Sequence, residues 1–190
     1  MLAWHVSYWD RLGWKDKYAS PENNNRQKRR AEKGNAGAIG TPQFTVANTF
    51  VAGDQIEKQV LVDADRAPKF GIDADARIEH GKISATIKIR NVDAAPLGKD
   101  VNVIAVLYTK TAETDCKAGE NAGKKLKEFF LALKTLPPQP ASSFLEKAVP
   151  LTFDVPSGIE TSNLGIAVLV EDSTSDTTLE CRAVPVEKAK

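Results

Sequence analysis

The chain has 190 residues, 42% of them apolar and 27% charged, the proportions of an ordinary globular protein long enough to bury a core. Its 26 basic and 25 acidic residues leave a net charge of +1, which gives no electrostatic reason to expect nucleic acid or an anionic membrane as partner. No apolar run approaches the roughly 20 residues of a membrane-spanning helix, and the two cysteines, Cys116 and Cys181, lie too far apart for a Cys-X-X-Cys pair or a four-cysteine zinc site.

Residues 1–9, rich in Trp, Val and Tyr, predict a short strand. They carry neither a basic n-region nor an apolar h-region, so no secretory signal is expected in the sequence as it stands. Ser20 is a good N-cap, Pro21 suits the first helical position and Glu22 favours the positive end of the dipole. The helix runs through RQKRRAEK to Gly34, a natural stop. With almost no apolar stripe it is expected to lie exposed, and its basic residues (Arg26, Lys28, Arg29, Arg30, Lys33) read as a solvated face. GNAGAIGTPQF follows as a Gly-rich loop without the Lys-Ser/Thr of a phosphate-binding loop. Two short strands about a turn near Asn48 come next. A helix over residues 54–64 places Ile56, Val60 and Leu61 near one stripe.

From residue 67 the pattern is mostly strands. GIDADARIEH alternates Ile72, Ala74, Ala76 and Ile78 with charged residues, and ISATIKI puts Ile83, Ala85, Ile87 and Ile89 on one face. VNVIAVLYTK is apolar on both faces, as a central strand is. KKLKEFFLALKTL fits helix or strand; its position after the turn-rich TDCKAGENAGK favours a returning hairpin strand. LTFDV, LGIAVLVED and TLECRAVPV complete the set, and Pro185 marks the last as an edge. The spacing predicts an antiparallel β-sandwich of immunoglobulin-like type.

HVSYWDRLGWKDKYASP, Arg26-Gln27, GTPQF and GENAGKKL, in that order, resemble the domain of unknown function 1223 family over essentially the whole chain. Ser7 stands where that family usually has Asp, Gly40 where it usually has an aromatic, and VANTF where it tends to VNG. The resemblance implies a thioredoxin-like domain followed by a β-rich domain in bacterial and plant proteins that are mostly periplasmic or secreted. That family opens with a strand and a Cys-X-X-Cys-Pro motif, and this sequence begins after both. The expectation is an α+β chain: a partial thioredoxin-like α/β domain over residues 1–66, then the sandwich over 67–190. On this resemblance residues 1–9 are the second strand, 21–33 the second helix, and Thr41–Pro42 a cis bond that leaves the backbone of Thr41 free for an extended peptide.

Candidate binding residues are Trp4, His5, Trp9, Asp10, Trp14, Thr41 and Pro42; no catalytic or metal-ligating set is expected. His5 and Asp10, with Lys15 and Asp16 nearby, suggest an acid–base pair, but one His without a placed nucleophile favours a structural hydrogen bond. Trp4, Trp9 and Trp14 suggest a sugar-stacking platform, against which core packing is the stronger reading. Cys181 reads as buried and inert, Cys116 as an exposed thiol in a hairpin loop, and Gly119, Asn121 and Gly123 as turn residues. The function expected is a non-catalytic binding or structural module without cofactor. The alternatives are a thiol–disulfide oxidoreductase whose Cys-X-X-Cys lies upstream, and a carbohydrate- or peptide-binding sandwich. Partners expected are an extended peptide or protein and, through an undefended edge at residues 2–14, a second copy of the chain.

Overall fold

A computed structural model of the chain describes residues 1–34, 36, 38–47, 49–92 and 97–188. Helix α1 (Pro21–Lys33) begins where the capping signals put it: the Ser20 hydroxyl accepts the Asn23 amide at 3.2 Å, and Pro21 fills the first turn. It ends at Gly34, though with φ at −86° rather than in the left-handed region. Space is what requires glycine there, since a Cβ would meet the Phe50 ring at 2.5 Å. Strands β1 (Phe44–Val46) and β2 (Thr49–Val51) form an antiparallel hairpin, and the turn expected near Asn48 lies outside the described residues. Helix α2 (Ile56–Ala64) follows a 3-10 turn at Gly53–Gln55. Of its expected stripe, Ile56 is half-buried while Val60 and Leu61 face solvent.

The strands that follow are β3 (Phe70–Glu79), β4 (Lys82–Asn91), β5 (Val101–Asp115), β6 (Lys125–Thr135) and the short β7 (Gln139–Pro140). They continue as β8 (Val149–Asp154), β9 (Leu164–Asp172), β10 (Thr177–Pro185) and the short β11 (Glu187–Lys188). One sheet has the order β10-β9-β5-β6 with β7 also on β5, the other β11-β3-β4-β8; among these described strand pairs only β11–β3 is parallel. The protein is therefore mixed α and β with several sheets. Alternation works as the sequence predicts: Ile83, Ala85, Ile87 and Ile89 are wholly buried, facing Val103, Ala105, Leu107, Ile166 and Val168 across one shared core. The ambiguous segment is β6, antiparallel to β5, and Pro185 lies on edge strand β10. No helix among the described residues is long and apolar enough to cross a membrane.

β5 is apolar on both faces because both are covered. Ile104, Val106 and Tyr108 turn away from the shared core and form a second cluster with Ala132, Ala167 and Leu169, beneath Leu2 and Trp4. Residues 1–9 are not the strand their composition predicts. Ala3 alone bridges the β6 edge, donating to the Phe130 carbonyl at 2.8 Å and accepting from the Ala132 amide at 2.9 Å. Phe130 takes a φ of 51°, and regular pairing is interrupted there. Both Phe129 and Phe130 consequently turn outward, 50% and 38% exposed. Beyond Ala3 the chain coils into a 3-10 helix over Ser7–Leu12.

The solvated basic helix expected from the sequence is overturned in part: Lys28, Arg29 and Lys33 are exposed, but Arg26 and Arg30 turn inward. Arg26 and Arg30 of α1 close on Glu171, a buried carboxylate near the end of β9, at 2.5 and 2.6 Å. The Thr178 hydroxyl donates to Glu171 and accepts from Arg30, both at 2.9 Å. Arg29 and Lys33 face Asp176 at 3.6 and 3.5 Å, so only Lys28 pairs within the helix, with Glu32. Charge complementarity to a buried acid, absent from any helical-wheel pattern, decides which face of α1 packs. Burial alone would raise the Glu171 pKa, but the charges and hydrogen bonds of Arg26 and Arg30 bring it below the ordinary value.

Glu171→Gln, which leaves two guanidinium groups without their counter-charge, is expected to cost about 3 kcal/mol or more. Urea unfolding at neutral pH measures it. Because the folded pKa is depressed, this contribution is present above about pH 4.3 and is lost as pH falls through the folded value. The gap between wild type and variant should therefore narrow in acid, and a gap that stays constant would mean that Glu171 is not ionised.

Candidate functional site

The path of the N-terminal segment is set by side chains of α1. Asn23 Nδ2 donates to the His5 carbonyl at 2.8 Å, and Asn24 Oδ1 accepts the Ser7 amide at 2.9 Å while its Nδ2 reaches Ser7 Oγ at 2.8 Å. These bonds stand in for a strand partner, which is why an aromatic-rich stretch leaves the sheet after Ala3. Ser7–Leu12 then carries Tyr8 and Trp9 to the loop preceding β1. Trp9 Nε1 donates to Thr41 Oγ1 at 2.8 Å, and Tyr8 donates to Gln27 Oε1 at 3.1 Å. Gln27 Nε2 in turn holds the Gly40 carbonyl at 2.8 Å and Gln43 Oε1 at 2.9 Å.

The result is a small exposed surface built from three elements. The Tyr8 and Trp9 rings lie 5.4 Å apart, Arg11 stands 5.5 Å over the Trp9 ring, and Trp9 is 44% exposed. Thr41–Pro42 is cis, as the resemblance implied. Thr41 and Pro42 are exposed, and among the described residues no partner bonds the Thr41 amide or the Thr41 and Pro42 carbonyls. Exposed backbone groups of this kind are available to a second chain.

His5 belongs to a different cluster. Its Nδ1 meets Asp16 Oδ2 at 2.6 Å, whereas Asp10, the expected partner, accepts the Asp16 amide at 3.2 Å. Asp16 Oδ1 also accepts the Tyr18 amide at 2.8 Å, and Tyr18 sets its ring edge-on to His5 at 6.3 Å. Burial alone would lower the His5 pKa, but the Asp16 hydrogen bond and charge, with the charge of Glu128, raise it. Burial likewise opposes ionisation of Asp16, and the bonds from His5 and Tyr18 outweigh it, so its pKa falls. A histidine oriented by a carboxylate is half of an acid–base device, yet among the described residues no Ser, Cys or Thr is bonded to its ring. Among the described residues no three His, Cys, Asp or Glu are grouped to hold a metal. The pair clamps the loop 10–18 to the segment before it.

The seven candidate residues thus divide. Trp9, Thr41 and Pro42 come together; His5 and Asp10 meet only through Asp16. Trp4 lies over the outer face of the large sheet, with Arg26 4.7 Å from its ring. Trp14 packs against the β5–β6 turn, where Gly119 (φ +73°) would press a Cβ to 3.2 Å from Trp14 Cβ and 3.3 Å from the Leu12 carbonyl. The three Trp form no common platform. Both thiols are free, and their environments are the reverse of those expected. Cys116 is buried because its amide and carbonyl close the turn with Lys124 and Gly123 at 2.9 and 2.8 Å. Cys181 is exposed because a register shift between Thr178 and Glu180 resets the alternation of β10. Tyr8, Gln27, Gln43 and Asp16 are site residues absent from the candidate set, although all four lie in the motifs that carry the family resemblance and Asp16 stands near His5 in the sequence.

A family model described as "Protein of unknown function (DUF1223)" matches residues 1–171. Comparison with curated proteins found no match. The fold is similar to the crystal structure of protein AGR_C_4864 from Agrobacterium tumefaciens, at 18% identity and a TM-score of 0.60, covering 97% of this chain and 79% of that one. Two further similarities carry no argument at their TM-scores. One is to a domain of the outer membrane lipoprotein Omp28 from Porphyromonas gingivalis (18% identity, 66% of this chain and 93% of that one, TM-score 0.41). The other is to a DUF3823 family protein from Bacteroides ovatus (19% identity, 63% and 55%, TM-score 0.40).

The His5–Asp16 pair carries a pH signature. A raised His pKa contributes stability that is complete below about pH 6.5 and lost as pH rises through the folded value; a lowered Asp pKa contributes above about pH 3.9 and is lost below. The thermal stability gap between wild type and His5→Asn should therefore be widest between about pH 4 and 6.5 and shrink toward pH 9. An equal gap at both ends of that range would show that the contact involves no charged histidine.

Proposed function

The chain belongs to the DUF1223 family, and on that footing we propose that it is a non-catalytic binding module that takes an extended peptide at Thr41–Pro42 beside Trp9. The reading includes the finer fold assignment: residues 1–66 as a partial thioredoxin-like domain and 67–190 as an immunoglobulin-like sandwich able to fold alone. The order of helix, proline loop, antiparallel hairpin and helix supports the first part. Two sheets closing on one apolar core support the second.

One observation carries the binding proposal: an exposed two-residue stretch of backbone with unpaired polar groups, fixed from both sides by side chains. An extended peptide can satisfy such groups by main-chain hydrogen bonds, which give affinity without demanding one sequence. The Trp9 ring offers an apolar surface for a neighbouring peptide side chain, and Arg11 above it favours a peptide with acidic character. Bonds from Gln27 and Trp9 hold the loop before a ligand arrives, which lowers the ordering cost of binding. A sugar platform draws no comparable support, since Trp4 and Trp14 are packed elsewhere.

Peptides selected on the full chain from a random display library provide the test, read by calorimetry and by amide chemical shifts. Trp9→Ala is expected to weaken binding about tenfold or more, about 1.4 kcal/mol, with Trp14→Ala unchanged. The Thr41 amide should shift on titration. Selected peptides that bind equally to Trp9→Ala and leave that amide unmoved would sink the proposal.

A further inference from the structure

His5 sits among acids drawn from two elements. Asp16 of the loop meets its Nδ1 at 2.6 Å, and Glu128 of β6, bonded to the Thr114 hydroxyl of β5 at 3.1 Å, adds its charge from the sheet side. Asp10 accepts the Asp16 amide at 3.2 Å, and the exposed Lys17 acts on Glu128. From α1 comes only the uncharged Asn23, on the His5 carbonyl; the Tyr18 ring closes the remaining side. When His5 loses its proton, Lys17 alone is left to offset Asp10, Asp16 and Glu128.

Asp16 has two grips on the chain. Its carboxylate holds His5, eleven residues earlier, and its amide holds Asp10, the residue after Trp9. The Asp10 carbonyl in turn accepts the Gly13 amide at 3.2 Å, where the Ser7–Leu12 helix ends. A bond at the base of this span thus fixes the far end of the turn that carries Trp9 and Arg11 to Thr41. The near end is tied to α1 by Ser7 with Asn24 and by Tyr8 with Gln27, groups that do not titrate near neutrality. One end of the Trp9 turn is therefore held independently of pH, and the other depends on a proton.

We propose that His5 and Asp16 are positioning residues of the Trp9–Thr41 surface, a latch that keeps it ready for a peptide while His5 is protonated and slackens as pH rises. This rests on the peptide-binding reading of that surface. A histidine whose pKa is raised keeps its proton through the ordinary value of about 6.5 and loses it above, while Asp16, lowered, stays ionised. Linkage is reciprocal: a peptide that binds the closed form favours protonated His5, so binding near neutrality takes up protons.

Nuclear magnetic resonance of the full chain from about pH 5.5 to 9 tests the latch without any ligand. The Trp9 indole and the Thr41 amide should move with the midpoint of the His5 ring. The chain has two histidines, so His5→Asn should abolish that movement and His80→Asn, in the β3–β4 turn, should leave it. Calorimetry with an end-blocked selected peptide lacking His and Cys then tests the consequence. Affinity should fall about threefold or more between about pH 6 and 9 in wild type and stay level in His5→Asn. Paired buffers of different ionisation enthalpy should show proton uptake at about pH 7, which a merely structural contact would not produce. A Trp9 indole indifferent to the His5 titration overturns the proposal. So does an affinity constant with pH while that indole moves. A chain that takes no peptide at Thr41 defeats the binding reading instead, and the indole titration then decides the latch by itself.

Discussion

A single carboxylate organises the N-terminal third of this protein. Glu171 is buried on the outer face of the large sheet, where an unpaired negative charge would be costly. Arg26 and Arg30 answer it from successive turns of α1, and the Thr178 hydroxyl donates a further hydrogen bond to it. The arrangement is not free of tension. Arg30 is itself buried, faces the charge of Arg26, and has its pKa lowered on both counts, with its Nε finding no hydrogen-bond partner among the described residues. A buried ionic cluster is weak evidence for net stability, and its use here is positional: it determines where α1 lies and which way it is rotated.

Everything that makes the candidate site follows from that rotation. With Arg26 and Arg30 turned to the sheet, Asn23 and Asn24 reach the segment 5–7 and Gln27 reaches the proline loop. The same helix thus holds the two pieces of chain whose meeting creates the surface at Trp9 and Thr41. Leu2 and Trp4 finish the layer by covering the outer apolar cluster of the large sheet. Trp4 also lies under the Arg26 guanidinium, so the apolar cover and the ionic cluster share a member. A change at Glu171 should be felt at Thr41 through packed side chains, without any contact between the two.

The three tryptophans illustrate how one composition serves three ends. Trp4 is a cover for the sheet, Trp14 is a contact for the β5–β6 turn, and only Trp9 is presented to solvent. Their closeness in sequence reflects a segment that crosses the surface of the sandwich and is held at several points along its length. The glycine at position 119 belongs to the same logic. Its left-handed backbone and the close approach of Trp14 and the Leu12 carbonyl both exclude a side chain. A turn motif in the second half of the chain is therefore shaped by an aromatic in the first.

What the sequence determined by itself is local. Ser20 and Pro21 start a helix because their chemistry satisfies free amides wherever they stand, and the alternation of Ile72–Ile89 assigns faces because side chains along a strand point to opposite sides. The doubly apolar 101–110 announced a central strand covered on both faces. Only the tertiary structure decided the rest. Nothing local distinguishes Glu171 from other strand-end acids, so the burial of a basic helix against it could not be read. The pairing of His5 with Asp16 rather than Asp10 depends on the bend of a loop. The exchange of environments between Cys116 and Cys181 follows from a closed turn and a shifted register. Residues 1–9 have the composition of a strand, but a strand needs a partner along its length, and the kink at Phe130 together with the asparagines of α1 left it one only at Ala3.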